Sequence, residues 1–339
     1  MKISIITTVY RAERDLPRLL DSMMAQNSQE LEFFLIDNGS PDNCGNICAD
    51  YAKKDSRFKI LTLPENIGYI KARNLGIQQV QADYIGFCDS DDYLVPGGYD
   101  RAIKLIKESS CDLFIASWNT VSDKAVKMNQ LPYKDGVYKD QQITDTILPN
   151  AFGPVDGKGQ LHGFAWKMIY KLEIIKGKGI CFHEALMPRE DQIFNIDVLR
   201  SCRTVCVDSH SIYNYVVNEQ SITMQIIKKF DVKRSWRQIE LLYRNKKRRV
   251  LSDKELEASC NGIALSTYSL CLNAIKLNKN VFNASKSIYQ TIDKDVLSEV
   301  KKHYSIRDKR VNLTIDGLYY GYLWAIALIM KLLLALRGE

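Results

Sequence analysis

The sequence predicts an α/β fold in which a mostly parallel sheet is flanked by helices. Over the first 120 residues, short apolar runs rich in β-branched residues alternate with segments whose apolar residues recur at helical spacing. Several of these runs stop at acidic or turn-forming residues. This alternation is typical of a parallel sheet with both faces covered, and it places the expected ligand crevice at the carboxyl ends of the strands.

Four apolar runs predict strands at residues 3–9, 31–36, 58–63 and 84–88. The apolar spacing predicts one helix after the first strand and another after the third. The second strand ends at Asp37 in the turn sequence DNGS, and the fourth ends at Asp89 in the sequence DSDD. Residues 120–160 are rich in Gly, Pro and polar side chains. This composition is typical of a mobile lid or of an ordinary connection, and it includes a candidate strand pair.

After residue 225 the apolar spacing is helical. The last apolar segment, residues 317–336, carries Lys331 as its only charged side chain. As one helix it would be about 30 Å long, enough to cross the hydrocarbon core of a bilayer. Three interpretations stay open: interfacial attachment to a membrane, a helix buried within the chain or in a homodimer, and a transmembrane span.

Composition and charge favour two globular parts. With 339 residues, 46% hydrophobic and 26% charged, the chain exceeds one usual domain and falls outside the disordered and disulfide-stapled classes. Residues 1–224 carry 25 Lys and Arg against 29 Asp and Glu, whereas residues 225–339 carry 22 against 11. We therefore predict one domain over residues 1–225 and a basic helical region over residues 226–339.

The basic region predicts contact with an anionic surface. Its aromatic residues lie among aliphatic residues rather than between the basic runs, which favours a membrane surface over nucleic acid. Charged residues from Arg11 onward interrupt any signal-peptide core, and the nine cysteines form no CxxC pair. These observations predict a cytoplasmic protein attached peripherally to the inner face of the cell membrane.

Asp89 and Asp91 are the two residues of the sequence that most clearly indicate a chemical function. Two carboxylates separated by one residue at a strand end can hold Mg²⁺ or Mn²⁺, because these ions take oxygen ligands and keep several waters. Acidic residues in a surface turn that caps the next helix would give the same three letters. The four histidines show no spacing that is typical of metal ligands.

An ordered series of motifs resembles glycosyltransferase family 2, whose members have a GT-A fold. The series begins with Val9-Tyr10, DNGS, Asn66-x-Gly68, Ala72-Arg73-Asn74-x-Gly76 and DSDD. It continues with Trp166 to Tyr170, Phe182-x-Glu184, Glu190-Asp191-x-x-Phe194, Tyr213-x-Tyr215 and Ser221-Ile222-Thr223. The chain departs from the family pattern at Arg11, Asn38 and Met168. Within the family, the series is similar to bacterial capsular and exopolysaccharide glycosyltransferases.

The resemblance implies that the protein binds a nucleotide-sugar, in the first place a UDP-sugar, together with Mn²⁺ or Mg²⁺. Carried over by position, Thr8, Tyr10 and Asp37 would contact the nucleobase and the ribose. Asn66 and Arg73 would close the same pocket.

The resemblance also implies roles for the acidic residues. Asp91 would bind the metal on the diphosphate, and Asp89 would contact the ribose or the donor sugar and share the ion. Asp191 would be the general base, and Glu190 beside it would bind a sugar hydroxyl. The apolar neighbours of Asp191 predict burial and a raised pKa, as a base requires, while a helix N-terminal acid is the alternative interpretation.

The resemblance therefore implies an inverting glycosyltransferase that moves one sugar to a hydroxyl of a glycan. A lipid-linked oligosaccharide in surface polysaccharide synthesis would be the acceptor. A nucleotidyltransferase is one alternative, although its expected early Gly-rich loop is missing. A non-catalytic module that binds nucleotide-sugars or membranes is the other.

Overall fold

The computed structural model describes residues 1–155, 161, 163–186, 189–218, 231–278 and 280–336, with side chains up to 331. The motif Ser221-Ile222-Thr223 and the predicted boundary at residue 225 lie outside the described residues. The chain divides into two compact units. The first comprises Met1–Asp145, His162–Ala185 and Glu190–Glu219, and the second comprises Thr146–Leu161, Leu186–Arg189 and Gln220–Glu339.

A single sheet of the first unit contains ten strands of the described residues. They are β1 Ile3–Val9, β2 Leu31–Asp37, β3 Phe58–Thr62, β4 Tyr84–Asp89, β5 Tyr93–Leu94, β6 Leu113–Val121, β7 Val126–Asn129, β8 Gly136–Lys139, β9 Met168–Lys171 and β10 Thr204–Val216. The main order is β3-β2-β1-β4-β9-β6-β10-β5. The neighbours β3, β2, β1 and β4 are parallel, as are β6 and β10, so the predicted mostly parallel sheet is confirmed.

Helices connect and flank these strands. In chain order they are α1 Leu16–Met24, α2 Cys44–Lys54, α3 Tyr69–Gln79, α4 Gly98–Ser109, α5 Leu148–Phe152, α6 Leu172–Lys178 and α7 Glu190–Leu199. All but α5, which belongs to the second unit, lie in the first. The apolar side chains of α1 that recur at helical spacing are buried, as the amphipathic pattern predicts.

The candidate strand pair within residues 120–160 takes a different form in the structure. Both strands exist, but β7 pairs with β6 and β8 pairs with β10. On β6, β9 pairs only with Leu113–Ile115, and β7 pairs with the later residues of the strand. On β10, β5 pairs only with Tyr213 and Asn214, and β8 pairs with the earlier residues. The backbone N–H and C=O groups of β6 and β10 that these short strands do not reach need hydrogen-bond partners, and β7 and β8 supply them.

The second unit is helical in its described part, as the sequence predicts. Its remaining helices are α8 Val232–Lys247, α9 Asp253–Leu277, α10 Val281–Thr291, α11 Lys294–His303, α12 Lys309–Tyr320 and α13 Leu323–Leu336. A capping box at Ser252 and Glu255 begins α9. Apolar side chains from all six helices form the core clusters of this unit.

The prediction of one continuous helix over residues 317–336 is wrong. Gly321 has a φ of +86° and ends α12, so the segment forms parts of two helices. The Tyr289 hydroxyl stabilises the break, since it donates to the Gly317 carbonyl (2.7 Å) and accepts from the Leu323 N–H (2.6 Å). Among the described helices, none combines the length and the apolar character needed to cross a membrane.

Candidate active site

Three strands bring the first group of predicted residues to one edge of the sheet. In the parallel register, Thr8 lies opposite Asp89 of β4, and Val9 lies opposite Asp37 of β2. Neighbouring parallel strands end at the same edge, so Thr8, Asp37 and Asp89 lie along it. This is the edge at which the sequence predicted ligand binding.

Side-chain amides join the loops that follow β2 and β3. Asn38 donates from Nδ2 to Asn66 Oδ1 (3.2 Å), and its Oδ1 accepts from the Ile67 N–H (3.1 Å). Gly39 has a φ of +63°, and a Cβ at this position would collide with the backbone of Glu65. The departure at Asn38 therefore has a structural role, because its amide can both donate and accept.

Tyr10 and Asp37 differ in how far they are accessible. The Tyr10 side chain is 37% exposed, and the Arg11 guanidinium lies over its ring at 5.4 Å from the centroid. Asp37 is buried, and its Oδ1 accepts from the Ser40 N–H (3.0 Å). The Tyr10 ring is thus partly exposed, whereas Asp37 is held within its turn.

Arg73 joins two acids that are far apart in the sequence. Its side chain is almost entirely buried on α3. One guanidinium nitrogen donates to Asp89, and Nη1 donates to Asp191 Oδ1 (3.1 Å). Three aromatic rings lie between 5.3 and 5.8 Å from the guanidinium carbon, those of Tyr69, Phe87 and Phe182. The guanidinium stays charged at all relevant pH values, so it connects the end of β4 to the start of α7 electrostatically.

Asp191 lies in the first turn of α7. Its Oδ2 accepts from the Ala165 N–H (3.0 Å), and 18% of its side chain is exposed. Burial raises the pKa of Asp191 to about 6, although the nearby charge of Arg73 opposes the shift. A carboxylate with this pKa is ionised near neutral pH and can still accept a proton, which is what a general base requires.

Glu190 is buried beside Asp191. Its Oε1 accepts from the Tyr69 hydroxyl, and its Oε2 is buried with no hydrogen-bond partner within the described part of the chain. Tyr69 and Arg73 are four residues apart on α3, so they lie on one face of that helix. One helix face therefore supports both acids at the start of α7.

Asp92 anchors the acidic loop after β4 to β10. Its two carboxylate oxygens accept from the Tyr213 hydroxyl and from the Val216 N–H, each at 2.7 Å. The Tyr213 hydroxyl in turn accepts from the Asp89 N–H (3.0 Å). Asp92 is buried, whereas Asp89 and Asp91 are partly exposed, so these two are the acids that a ligand can reach.

Residues 4–156 match the sequence model of the family described as glycosyl transferase family 2. Over these residues the chain contains a glycosyltransferase family 2 domain. The matched residues include Thr8, Asp37 and Asp89 at the sheet edge, together with Arg73 of α3 and Asp91 of the loop after β4.

Two relatives illustrate what the chain is similar to. It is 27% identical over 222 residues to the uncharacterized glycosyltransferase EpsJ of Bacillus subtilis, covering 65% of this chain and 62% of EpsJ. It is 25% identical over 223 residues to the poly(ribitol-phosphate) beta-N-acetylglucosaminyltransferase TarS of Staphylococcus aureus, covering 65% of this chain and 36% of TarS. The matches thus span less than two thirds of the length of each relative.

Solved structures confirm the GT-A-like fold of this chain. Residues 1–349 of S. aureus TarS in complex with UDP-GlcNAc superpose with a TM-score of 0.71 at 18% identity, covering 100% of this chain and 93% of that chain. The mannosyltransferase PcManGT from Pyrobaculum calidifontis, in complex with GDP-Man and Mn²⁺, gives a TM-score of 0.56 at 11% identity, covering 98% and 86%.

The acids after β4 fit a divalent cation. Asp89 pairs with Arg73 and Asp92 bonds to Tyr213, whereas Asp91 takes part in no ion pair among the described residues. Burial and the negative charge of Asp89 raise the pKa of Asp91 to about 6. A cation beside Asp91 would counter this shift, and carboxylate oxygens are the ligands that Mg²⁺ and Mn²⁺ take. Asp91 and Asp89 are therefore suited to hold the ion.

The fold also brings together two acids and one histidine that the sequence spacing did not indicate. Candidate ligand atoms of Asp135, Asp208 and His210 lie within 4.8 Å of one another. Arg101 already forms two hydrogen bonds to Asp208, at 2.8 and 3.1 Å, and the pKa of Asp208 is lowered by hydrogen bonds from Arg101 and His210 that outweigh its burial. The carboxylate of Asp208 is thus neutralised by the protein itself.

The structure brings four of the predicted residues into one contact network: Arg73, Asp89, Glu190 and Asp191. Tyr69 links Glu190 to this network, and the sequence analysis did not single it out. Its spacing to Arg73 on a predicted helix could have indicated it. The Ala165 N–H on Asp191 could not have been foreseen, since a backbone donor carries no residue-specific signal.

Proposed function

We propose that this protein is an inverting glycosyltransferase that moves one sugar from a nucleotide-sugar to a hydroxyl group of a glycan. The observation that carries the proposal is the ion-pair network through Arg73. One guanidinium forms ion pairs with both Asp89, the last residue of β4, and Asp191, the candidate base. A single displacement needs a leaving-group site and a base close together, and these contacts supply that proximity.

In the proposed reaction, Asp191 accepts the proton of an acceptor hydroxyl. The acceptor oxygen attacks the anomeric carbon of the donor sugar on the face opposite the nucleotide. The new glycosidic C–O bond forms as the bond to the diphosphate oxygen breaks, so the anomeric configuration inverts. Tyr69 and Arg73 keep Glu190 and Asp191 in position. In the proposal Glu190, whose Oε2 has no hydrogen-bond partner among the described residues, binds a sugar hydroxyl.

On the donor side, the exposed ring of Tyr10 and the strand ends at Thr8 and Asp37 would receive the nucleoside. Asn66 would line the same region through the loop that Asn38 holds. Mn²⁺ or Mg²⁺ bound by Asp91 and Asp89 would neutralise the negative charge that develops on the diphosphate. UDP-sugars are the first donor candidates, because the TarS neighbour was solved with UDP-GlcNAc.

The acceptor in this proposal is a hydroxyl on a surface glycan, carried on a lipid. The relatives support a polymer acceptor, because TarS is named a poly(ribitol-phosphate) beta-N-acetylglucosaminyltransferase. A Bacillus spizizenii relative, 24% identical over 229 residues, is named a poly(ribitol-phosphate) beta-glucosyltransferase.

A panel of UDP-sugars tests the donor and the metal together. We expect at least one of them to raise the thermal midpoint in the presence of Mn²⁺ and to release UDP slowly without an acceptor. Asp91→Asn should abolish the metal-dependent part of both signals, since an amide cannot replace the carboxylate charge. Differential scanning fluorimetry and a UDP assay, with and without EDTA, measure this.

Asp123→Asn is the matched control, because Asp123 is an exposed acid outside the site. It should respond to Mn²⁺ and UDP-sugar like the wild type. Release of pyrophosphate with transfer of the nucleotide would identify a nucleotidyltransferase instead. Binding of UDP-sugar with no turnover toward any glycan would indicate a non-catalytic module.

The proposed peripheral membrane contact rests on the end of the second unit. Large apolar side chains are exposed on its last helices, including Phe282, Tyr320, Trp324 and Ile329 at 46–65%. Phe282 and Trp324 stack with their ring centroids 5.8 Å apart. An exposed aromatic surface on a strongly basic region suits the interface of an anionic bilayer, which carries lipid-linked acceptors.

Point substitutions test this contact better than deletion, because α12 and α13 bury Val311, Ile315 and Leu323 in the core. The double variant Tyr320→Ser, Trp324→Ser should lose most of its flotation with vesicles of phosphatidylglycerol and phosphatidylcholine. Val250→Ser is the control, since Val250 is 91% exposed. Equal flotation of the double variant and the Val250→Ser control would contradict the membrane contact. A concentration-dependent dimer in light scattering would assign the surface to a homodimer.

A further inference from the structure

Arg18 of α1 holds the backbone of the acidic loop after β4. Its Nη2 donates to the carbonyl oxygen of Asp91 (2.6 Å). The Asp92 N–H belongs to the same peptide group and donates to the Asp89 carbonyl (3.2 Å). Because a trans peptide group is planar and its N–H and C=O point in opposite directions, these two hydrogen bonds hold it from both sides. The backbone from which the Asp91 carboxylate projects is therefore held in part by Arg18.

The same face of α1 anchors the chain that follows the acidic loop. Ser22 lies four residues after Arg18, and its Oγ accepts from the Leu94 N–H (3.0 Å). The Arg18 guanidinium carbon also lies over the Tyr93 ring, at 5.4 Å from the centroid. Of these contacts with α1, the hydrogen bond from Arg18 Nη2 is the one that reaches an acidic residue of the loop.

Arg18 holds Asp91 without neutralising its carboxylate. The guanidinium bonds to the Asp91 carbonyl, and its ion pair within the described chain is with Asp15, at 3.4 Å from Nη2 to Oδ1. A guanidinium paired with the Asp91 carboxylate would compete with a divalent ion for the same oxygens. The observed arrangement leaves that carboxylate to a cation while restraining the residue that carries it.

The affinity of a metal site depends on the groups that orient its ligands as well as on the ligands themselves, and removing such a group typically costs about 10–100-fold. We propose that Arg18 is a positioning residue for the divalent cation, because it holds the backbone of Asp91 in the orientation that presents the carboxylate to the ion. The proposal rests on the proposed function, in which Asp91 binds Mn²⁺ or Mg²⁺, and it adds a residue of α1 to the metal site.

Arg18→Met tests this role, because methionine is a good helix former but cannot donate to the Asp91 carbonyl. With excess UDP present, we expect the Mn²⁺ concentration that gives half of the thermal stabilisation to rise roughly tenfold. Electron paramagnetic resonance of free Mn²⁺ makes the same comparison without nucleotide. Arg18→Lys should recover most of the affinity, since one ammonium N–H can replace the one hydrogen bond to the carbonyl.

Two control variants separate this role from charge and from general stability. Arg14→Met removes the same charge from an exposed position just before α1, and it should keep the wild-type Mn²⁺ requirement. Ser22→Ala removes the hydrogen bond to the Leu94 N–H, so it should lower the thermal midpoint without changing the Mn²⁺ requirement.

A wild-type Mn²⁺ requirement in Arg18→Met would overturn the positioning role and leave the proposed function intact. An equal rise in Arg14→Met or in Ser22→Ala would do the same, because the effect would then belong to charge or to the stability of the loop. If neither UDP nor UDP-sugars with Mn²⁺ stabilised the wild type, the proposed function would fail and this role with it.

Discussion

Asp191→Asn should lower the rate of sugar transfer by at least about 100-fold while leaving UDP-sugar binding nearly unchanged. The amide has the size of the carboxylate and can still accept from the Ala165 N–H through its oxygen. It cannot take up the proton of an acceptor hydroxyl. Transfer assays and thermal shifts with UDP-sugar, measured on the same preparations, separate catalysis from donor binding.

Asp197→Asn is the matched control, since Asp197 is also an acid of α7 and should keep its activity. The pH profile gives a second test. Because burial raises the pKa of Asp191 to about 6, kcat/KM should fall about tenfold per pH unit below that value. A carboxyl group with a pKa higher in the folded than in the unfolded state adds stability as pH falls, so unfolding through this group would not explain the loss. Undiminished turnover of Asp191→Asn would reject the assignment.

Arg73→Met should destabilise the first unit and also remove activity. Methionine fills part of the space between the three aromatic rings, but it leaves the carboxylates of Asp89 and Asp191 without their shared cation. Loss of one partner from a buried ion pair costs about 3–5 kcal/mol. We expect the lower end of this range, about 3 kcal/mol, because Asp89 is 35% exposed. Urea unfolding followed by circular dichroism measures the change.

Arg73→Lys separates charge from geometry. Lysine keeps the positive charge but cannot donate to two carboxylates in the forked arrangement of a guanidinium. We expect a smaller loss of stability than for Arg73→Met, with transfer still reduced because Asp191 loses its fixed orientation. The control Arg203→Lys changes an exposed arginine and should match the wild type. If Arg73→Met unfolded at the wild-type urea concentration, the network would have no structural role.

Local patterns predicted most of the first unit correctly. The four early strands match within one residue, because buried parallel strands need continuous apolar runs and turn residues stop them. The pairing of β7 and β8 could not be predicted in the same way. It depends on where other strands end, and the ends of β5 and β9 are set by parts of the chain far away in sequence.

The C-terminal segment shows the limit of hydropathy. A twenty-residue segment with one charged side chain suggests a long helix, but Gly321 adopts a left-handed conformation and the hydroxyl of Tyr289 from another helix bonds both sides of the break. A glycine in an apolar run does not by itself end a helix. The contact with Tyr289 explains why this one does.

The candidate site was likewise predictable from the sequence only in part. Its acids and its family could be predicted from the sequence alone, because the ordered motifs lie in short segments and the acids follow recognisable strand ends. The roles of the individual site residues stay predictions. Only the tertiary structure decided that Arg73 lies between Asp89 and Asp191, that Tyr69 supports Glu190, and that the Ala165 N–H donates to Asp191. These are contacts between residues distant in sequence, and they depend on how α3 and α7 meet at the sheet edge, which no local pattern specifies.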